Sequence, residues 1–190
     1  LDIRDRKKLG EIWDSLKPID VVFHLASVQP GTSYSVSEYL DSNTGGTVNV
    51  CRACAATGVP KMVFVSTMAV YDQDDPNTLD EQAVPRPSSS YGASKYAAEL
   101  FSERFALETD LKVGVMRCSS IYGSRNNDGP IHCISRDARS SKDIILFANG
   151  TPRRDFVFVE DVVRALWAVP DALGDSPFEI FNVASGDTKT

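Results

Sequence analysis

Tyr91 and Lys95 stand four residues apart in Ser90-Tyr91-Gly92-Ala93-Ser94-Lys95-Tyr96-Ala97-Ala98-Glu99, a run that reads as helix. Side chains at that spacing share one helix face, about 5–6 Å apart at Cβ. A phenol titrates near pH ~10 and is a poor base at neutral pH. An ammonium one turn away favours the phenolate and lowers that value. The pair therefore predicts a tyrosine that moves a proton on and off a hydroxyl, as alcohol–ketone chemistry requires. The same spacing describes any helix with an aromatic and a solvated lysine, so the surrounding elements must decide.

Those elements alternate. Helical periodicity covers residues 5–16, with Leu9, Ile12, Trp13 and Leu16 predicted to face inward, and Pro18 ends it. Residues 20–25 form a short apolar run that predicts a buried parallel strand. A helix is predicted over 35–58, with Gly45-Gly46 as its weak point and Gly58-Val59-Pro60 as its stop. Residues 61–67 are the next strand, and 71–87, with three prolines, a loop. The Tyr91 helix runs to about Glu108, followed by a strand at 111–117, a loop at 122–130 and a helix at 131–138. Short strands at 143–147 and 155–159, a helix at 161–169 and a strand at 178–183 complete the pattern.

Strands of this length between helices indicate βαβ units and a doubly wound parallel sheet, the Rossmann-type α/β class. Ligands collect at the carboxyl ends of such strands. His24-Leu25-Ala26-Ser27 and Ser66-Thr67 lie there, close in sequence logic to the start of the Tyr91 helix.

Composition narrows the field. The 190 residues are 42% apolar and 24% charged, with net charge −6. Without a lysine or arginine run, nucleic acid and anionic membranes are poor partners. No apolar run reaches ~18 residues, so neither a spanning helix nor a signal peptide is expected, and the simplest location is cytoplasmic. Cys51-x-x-Cys54 has the spacing of a redox or zinc half-site. It falls inside a helix with no second pair or nearby histidine, so it reads as two small buried thiols, and no metal site is expected.

Seven short motifs occur in order along almost the whole chain: Asp2-Ile3-Arg4-Asp5; His24-Leu25-Ala26; Asn43 with Gly46-Thr47-Val48-Asn49; Ser66-Thr67 with Val70-Tyr71; Tyr91 with Lys95; Arg117 with Tyr122-Gly123; and Arg154-Asp155-Phe156-Val157 with Asp161-Val162. Together they resemble the extended short-chain dehydrogenase/reductase family, in its NAD-dependent sugar-nucleotide epimerase/dehydratase branch. The resemblance implies roles. Tyr91 would be the general base and acid, Lys95 would lower its pKa and bind the nicotinamide ribose, and Thr67 would bind the substrate hydroxyl. Asp2 and Ile3 would pack on the adenine. His24, Leu25, Ala26 and Ser27 would form the turn near the cofactor's phosphates and ribose, with Ser66 beside them. Asn43 would brace the helix near the active site. Arg154 would grip the substrate's diphosphate, a task suited to a forked guanidinium, and Ser120 would also face substrate, although the family usually has asparagine there.

The resemblance also implies a division: a partial dinucleotide-binding domain over 1–120, a partial substrate-binding lobe over 121–154, and a return to the first domain over 155–190. The family's GxxGxxG turn and the charged residue after its second strand are not in the sequence. The chain therefore reads as a central fragment lacking the first βαβ unit and much of the substrate lobe, with weak or no cofactor binding of its own. NAD is the implied cofactor, with NADP open.

Met68 and Ala69 follow Thr67 where the family's 4,6-dehydratases carry an Asp-Glu pair, and neither can exchange protons. The expectation is therefore a UDP-glucose 4-epimerase-like enzyme acting on a nucleotide sugar. The alternatives are a net NAD(P)H-dependent reductase or dehydrogenase, a non-catalytic cofactor-sensing member, and a fragment inert by itself. The family often pairs through two helices, so a homodimer through 35–58 and 91–108 is expected.

Overall fold

The computed structural model describes residues 1–30, 33–71, 79–126, 129–140, 143–144 and 153–189. Their order is α1 (Arg6–Leu16), β1 (Val21–His24), α2 (Val36–Tyr39), a π-helical turn (Leu40–Gly45), α3 (Gly46–Thr57), β2 (Lys61–Thr67), a short 3-10 turn (Met68–Val70), α4 (Ser90–Glu108), β3 (Lys112–Cys118), β4 (Ser120–Tyr122), α5 (Pro130–Arg139), β5 (Arg154–Phe158), α6 (Val159–Ala172), β6 (Phe178–Val183) and β7 (Thr188–Lys189).

β1, β2, β3 and β6 form a sheet in that order, every pair parallel. Alternation along β2 divides the core. Met62 and Phe64 face a layer with Leu9, Val50, Cys51, Cys54 and Ala98 from α1, α3 and α4. Val63 and Met116 face the other side, with Val162 and Val169 of α6. Helices thus cover both faces, which explains why these strands read as continuous apolar runs. A smaller sheet, β4-β5-β7, pairs β4 with β5 in parallel and β5 with β7 antiparallel. Asp155 of β5 joins the two sheets: it accepts from Ser119 Oγ at 2.8 Å, between β3 and β4, and from Ser185 N and Oγ at 2.9 Å each, beyond β6.

Local signals explain the helix ends. Asp5 caps α1 by accepting from Lys8 N, and Ser35 with Glu38 forms a reciprocal capping box on α2. Gly58 closes α3 at φ +71°, a left-handed conformation that favours glycine.

Several expectations need correction. The helix predicted over 35–58 is interrupted by the π-helical turn, which ends at Gly45, the predicted weak point. Leu16 is 59% exposed rather than inward, because α1 lies at the edge of its layer. Leu25 lies outside β1 and is exposed. α6 runs through Pro170 and is longer at both ends than predicted. β4 and β7 were not anticipated. The strand predicted at 143–147 finds none at residues 143 and 144, and its remainder lies outside the described residues. Cys51 and Cys54 are buried free thiols, as read from sequence. Among the described residues no helix is long and apolar enough to cross a membrane, and no acidic, histidine or cysteine cluster suits a metal ion.

Candidate active site

The site forms where the carboxyl ends of β1 and β2 meet the first turn of α4. β2 ends at Thr67, whose Oγ1 accepts from Ala69 N at 3.1 Å and so starts the Met68–Val70 turn. α4 begins against this turn. Ser89 caps it, accepting from Gly92 N at 3.1 Å. A Cβ at Gly92 would collide with the Ala69 carbonyl oxygen, so only glycine lets the helix seat here. This contact sets Tyr91 beside Thr67. Gly92→Ala is expected to lower stability by about 1–3 kcal/mol through overpacking. Thermal unfolding checks this, and an unchanged melting temperature would show that the helix start shifts freely.

The phenol of Tyr91 is largely shielded, and burial is the dominant influence, holding its pKa above the ordinary value. The nearby hydroxyls of Thr67 and Ser27 pull the other way, while Cys118 and Tyr39 add small upward contributions. The Tyr39 ring meets that of Tyr91 edge-on, centroids 6.2 Å apart. Lys95, one turn along α4, is buried. Its Nζ donates to Val65 O at 2.8 Å and lies 4.3 Å from the centre of the Phe64 ring. Burial brings this ammonium down to about 8, with Glu99 and Cys118 opposing. The expected lowering of the tyrosine by its helical neighbour is thus outweighed by desolvation.

Asn43 is fully buried at the π-helical turn. Its Oδ1 accepts from Val28 N at 2.7 Å and Ser27 Oγ at 3.2 Å, and its Nδ2 donates to Val28 O at 3.1 Å and Ser94 Oγ at 3.0 Å. Ser94 Oγ in turn donates to Tyr91 O at 2.8 Å. The amide therefore clamps the Ser27–Val28 loop to the first turns of α4.

The other sequence candidates are dispersed. His24 is buried, stacked on Phe64, with Nε2 2.8 Å from Thr47 Oγ1. Because the Thr47 hydroxyl proton goes to Asn43 O at 2.6 Å, Nε2 must be the donor. Burial and the nearby Lys95 push the imidazole down to about 3, so it stays neutral and structural. The Ser66 hydroxyl is likewise turned inward, donating to Glu99 Oε1, rather than presented at the strand end. Leu25 and Ala26 form an exposed, irregular stretch just past β1. Asp2 is held in a forked pair with Arg4, at 3.0 and 2.6 Å, which brings its carboxyl down to about 2. Ile3 packs over Gly46, where a Cβ would clash with it.

A separate cavity of about 590 Å³ lies between β4, β5 and α5. Ser120 lines it, along with Tyr122, His132, Arg136, Arg139 and Phe158. Arg154 does not: it is exposed on β5, and the arginines facing this space come from α5. Their signal in sequence is an arginine pair three apart on an otherwise mixed helix, which spacing alone does not distinguish from a solvated face.

Sequence reading also assigned no role to a buried ion pair beneath the site. Glu99 of α4 and Arg117 of β3 are each 2% exposed and meet at 2.7 Å, Nη2 to Oε2. Arg117 Nη1 donates to Tyr71 Oη at 2.6 Å, and Tyr71 Oη lies 3.0 Å from Asn182 Oδ1. The signal was present: a glutamate beside Ala97 and Ala98, and an arginine ending an apolar strand, are charges where solvent is not expected.

A tyrosine and a threonine converging at the carboxyl end of a parallel sheet covered on both faces define an α/β protein of the Rossmann type, with its reactive hydroxyls at the strand ends. Residues 1–184 match the NAD dependent epimerase/dehydratase family, and the chain belongs to that family. It is similar to the UDP-glucuronate 4-epimerase of Thermodesulfobacterium geofontis, 32% identical over 190 residues, 98% of this chain and 57% of that protein. Among solved structures it resembles MoeE5 in complex with UDP-glucose and NAD, with TM-score 0.85 and 33% identity over 94% of this chain and 60% of that one. It also resembles the UDP-glucose 4-epimerase of Thermotoga maritima with UDP-glucose, with TM-score 0.87 and 31% identity over 100% of this chain and 63% of that one. The chain thus spans about three-fifths of the length of these relatives.

Proposed function

We propose that this chain carries the acid–base centre of an NAD-dependent nucleotide-sugar 4-epimerase. The observation that carries this reading is the placement of the Tyr91 phenol among hydroxyls at the strand ends, with Met68 and Ala69 following Thr67. As phenolate, Tyr91 takes the proton of a sugar hydroxyl, becoming the neutral phenol, and returns that proton after the sugar has turned over. Thr67, whose oxygen already accepts from Ala69 N, can turn its own proton toward that hydroxyl. No carboxyl follows Thr67 to remove and return the protons that loss of water requires.

The residues present fit a dinucleotide. The exposed Leu25–Ala26 stretch offers an apolar surface at the sheet's carboxyl end, and the Lys95 ammonium carries more donors than its bond to Val65 O uses. NAD, when bound, supplies the acceptor and donor of hydride. Lys95 and the Leu25–Ser27 stretch would hold it, and the α5-facing cavity, within the ~300–1,000 Å³ typical of ligand sites, would take the nucleotide of the substrate.

The test is interconversion of UDP-glucose and UDP-galactose, or of the corresponding uronates, with no net change in NADH absorbance. Net NADH consumption with a carbonyl substrate would replace the epimerase reading with a reductase. The same reading extends to a homodimer through residues 35–58 and α4, supported by Leu100, Phe101 and Leu107, which lie about half exposed along α4. Sedimentation velocity is expected to show a dimer at micromolar concentration, and a monomer throughout that range would remove this part.

A further inference from the structure

Lys95 and Glu99 stand four residues apart on α4, as Tyr91 and Lys95 do, so the three side chains run along one face of the helix. The last two dock on neighbouring residues of β2. Lys95 Nζ donates to Val65 O at 2.8 Å, and Glu99 Oε1 accepts from Ser66 Oγ. Among the described residues, three charged side chains are buried, Lys95, Glu99 and Arg117, each 2% exposed. Two are cations and one is a carboxylate. An ammonium sealed from water without a counter-charge gives up its proton. The other groups around Lys95 do not supply one. Phe64 of β2 offers its ring at 4.3 Å, and His24 of β1, stacked on the same ring, is held neutral by burial. The Cys118 thiol of β3 is pushed up to about 12 and is neutral as well, and burial raises the Tyr91 phenol on the same helix. Arg117 of β3 is itself a cation.

We propose that Glu99 is a positioning residue for Lys95, its carboxylate supplying the counter-charge that keeps the lysine an ammonium one turn from the Tyr91 phenol. This rests on the reading of Tyr91 as the proton carrier. Arg117 reaches Glu99 Oε2 with Nε at 3.1 Å and Nη2 at 2.7 Å, and Ser66 holds Oε1, so the carboxylate cannot swing away. Lys95 is fixed by the carbonyl of Val65, the residue before Ser66. Two adjacent positions of one strand thus set the separation of the charges. Burial brings Lys95 down to about 8, and Glu99 is the largest influence opposing it. The buried pair therefore does more than join α4 to β3. One negative charge serves two cations, Arg117 for the fold and Lys95 for the site. Without it the lysine would lose its proton around neutral pH, and the phenolate would lose the positive charge beside it.

The direct test is a titration of Lys95 by NMR of lysine labelled at Cε, with Lys95→Arg identifying its signal and no nucleotide added. Glu99→Gln keeps the side chain's shape and an acceptor for Ser66 but removes the charge, so the titration is expected to fall by about one pH unit. Glu99→Leu with Arg117→Met removes the ion pair as a whole and keeps the test open should the single variant not fold. The titration is expected to fall there too. A thermal melt of each variant establishes that the folded chain is being titrated. Direction separates two causes. Loss of the counter-charge moves Lys95 down, whereas a loosened site that admits water moves it up toward the ordinary lysine value. A titration that overlays the parent in the folded variant, or rises, would overturn the proposal. Because the titration needs no turnover, it is independent of the epimerase reading. If Lys95 titrates lower in the variants while the parent interconverts no nucleotide sugar, the counter-charge stands and the epimerase reading falls. Where turnover is measured, Glu99→Gln is expected to lower kcat several-fold at neutral pH with KM little changed. The limb of the pH profile that requires charged Lys95 should then move to lower pH by the same amount as the titration.

Discussion

Tyr91→Phe is expected to lower epimerisation roughly 10²–10⁴-fold, the usual contribution of a positioned acid–base group. The effect should fall on turnover rather than on substrate affinity, because the ring and its edge-on contact with Tyr39 remain. Only the phenol oxygen is lost, together with its relation to Thr67 and Ser27. Folding should be little affected, since Gly92 and Ser89, which seat the helix start, are untouched. Measuring interconversion of the sugar nucleotides beside the thermal melt distinguishes a chemical loss from a structural one. A variant that retains activity within a few-fold would move the acid–base role off this residue.

Arg117→Met is expected to cost about 3–5 kcal/mol, the penalty for leaving one member of a buried ion pair without its partner. For a chain of this size that corresponds to a fall in melting temperature on the order of 10 °C. Arg117 and Glu99 are both sealed from water, and among the described residues the Glu99 carboxylate would keep one hydrogen bond, from the Ser66 hydroxyl, and the charge of the nearby Lys95. Replacing both, as Glu99→Leu with Arg117→Met, should recover much of the loss, because an apolar pair of similar volume has no charge to desolvate. The single and double variants together form the test. Equal melts for the parent and Arg117→Met would mean that water reaches the pair. Tyr71 and Asn182 join this network from the far side, so the single variant should also loosen the contact between β3 and β6.

The fold was legible where local pattern and tertiary outcome agree. β2 and β6 were read to the residue, since each is an apolar stretch covered on both faces. β4 was not, because three residues just after β3 become a strand only by pairing with β5, some thirty positions on. The interruption of the helix at residues 40–45 leaves only the Gly45-Gly46 weak point in sequence.

The site divides in the same way. The Tyr91–Lys95 spacing is a local property and was plain. The balance that holds the phenol above its ordinary value comes from burial beneath α2, β2 and β3, which no spacing reveals. For the same reason His24 and Ser66, residues of suitable type at strand ends, prove to face the core, since the direction of a strand's last side chains depends on the pleat and on what packs above it. Glu99 and Arg117 were the reverse case, a readable anomaly of charge in apolar surroundings whose partners only the packed structure identifies.

The π-helical turn at Leu40–Gly45 confines a change in chain length to a single turn. A π turn holds one residue more than an α turn. Deleting a single residue there would let the segment close to regular α-helix with α2 and α3 still in phase, because the wide turn already absorbs the extra residue. Side chains within the turn, Asn43 among them, would shift against Val28 and Ser94, while Thr47, one turn on, would keep its bond to His24. Relatives or variants of different length in this segment therefore differ in what the turn presents to the active-site loop, while the helices on either side keep their facing.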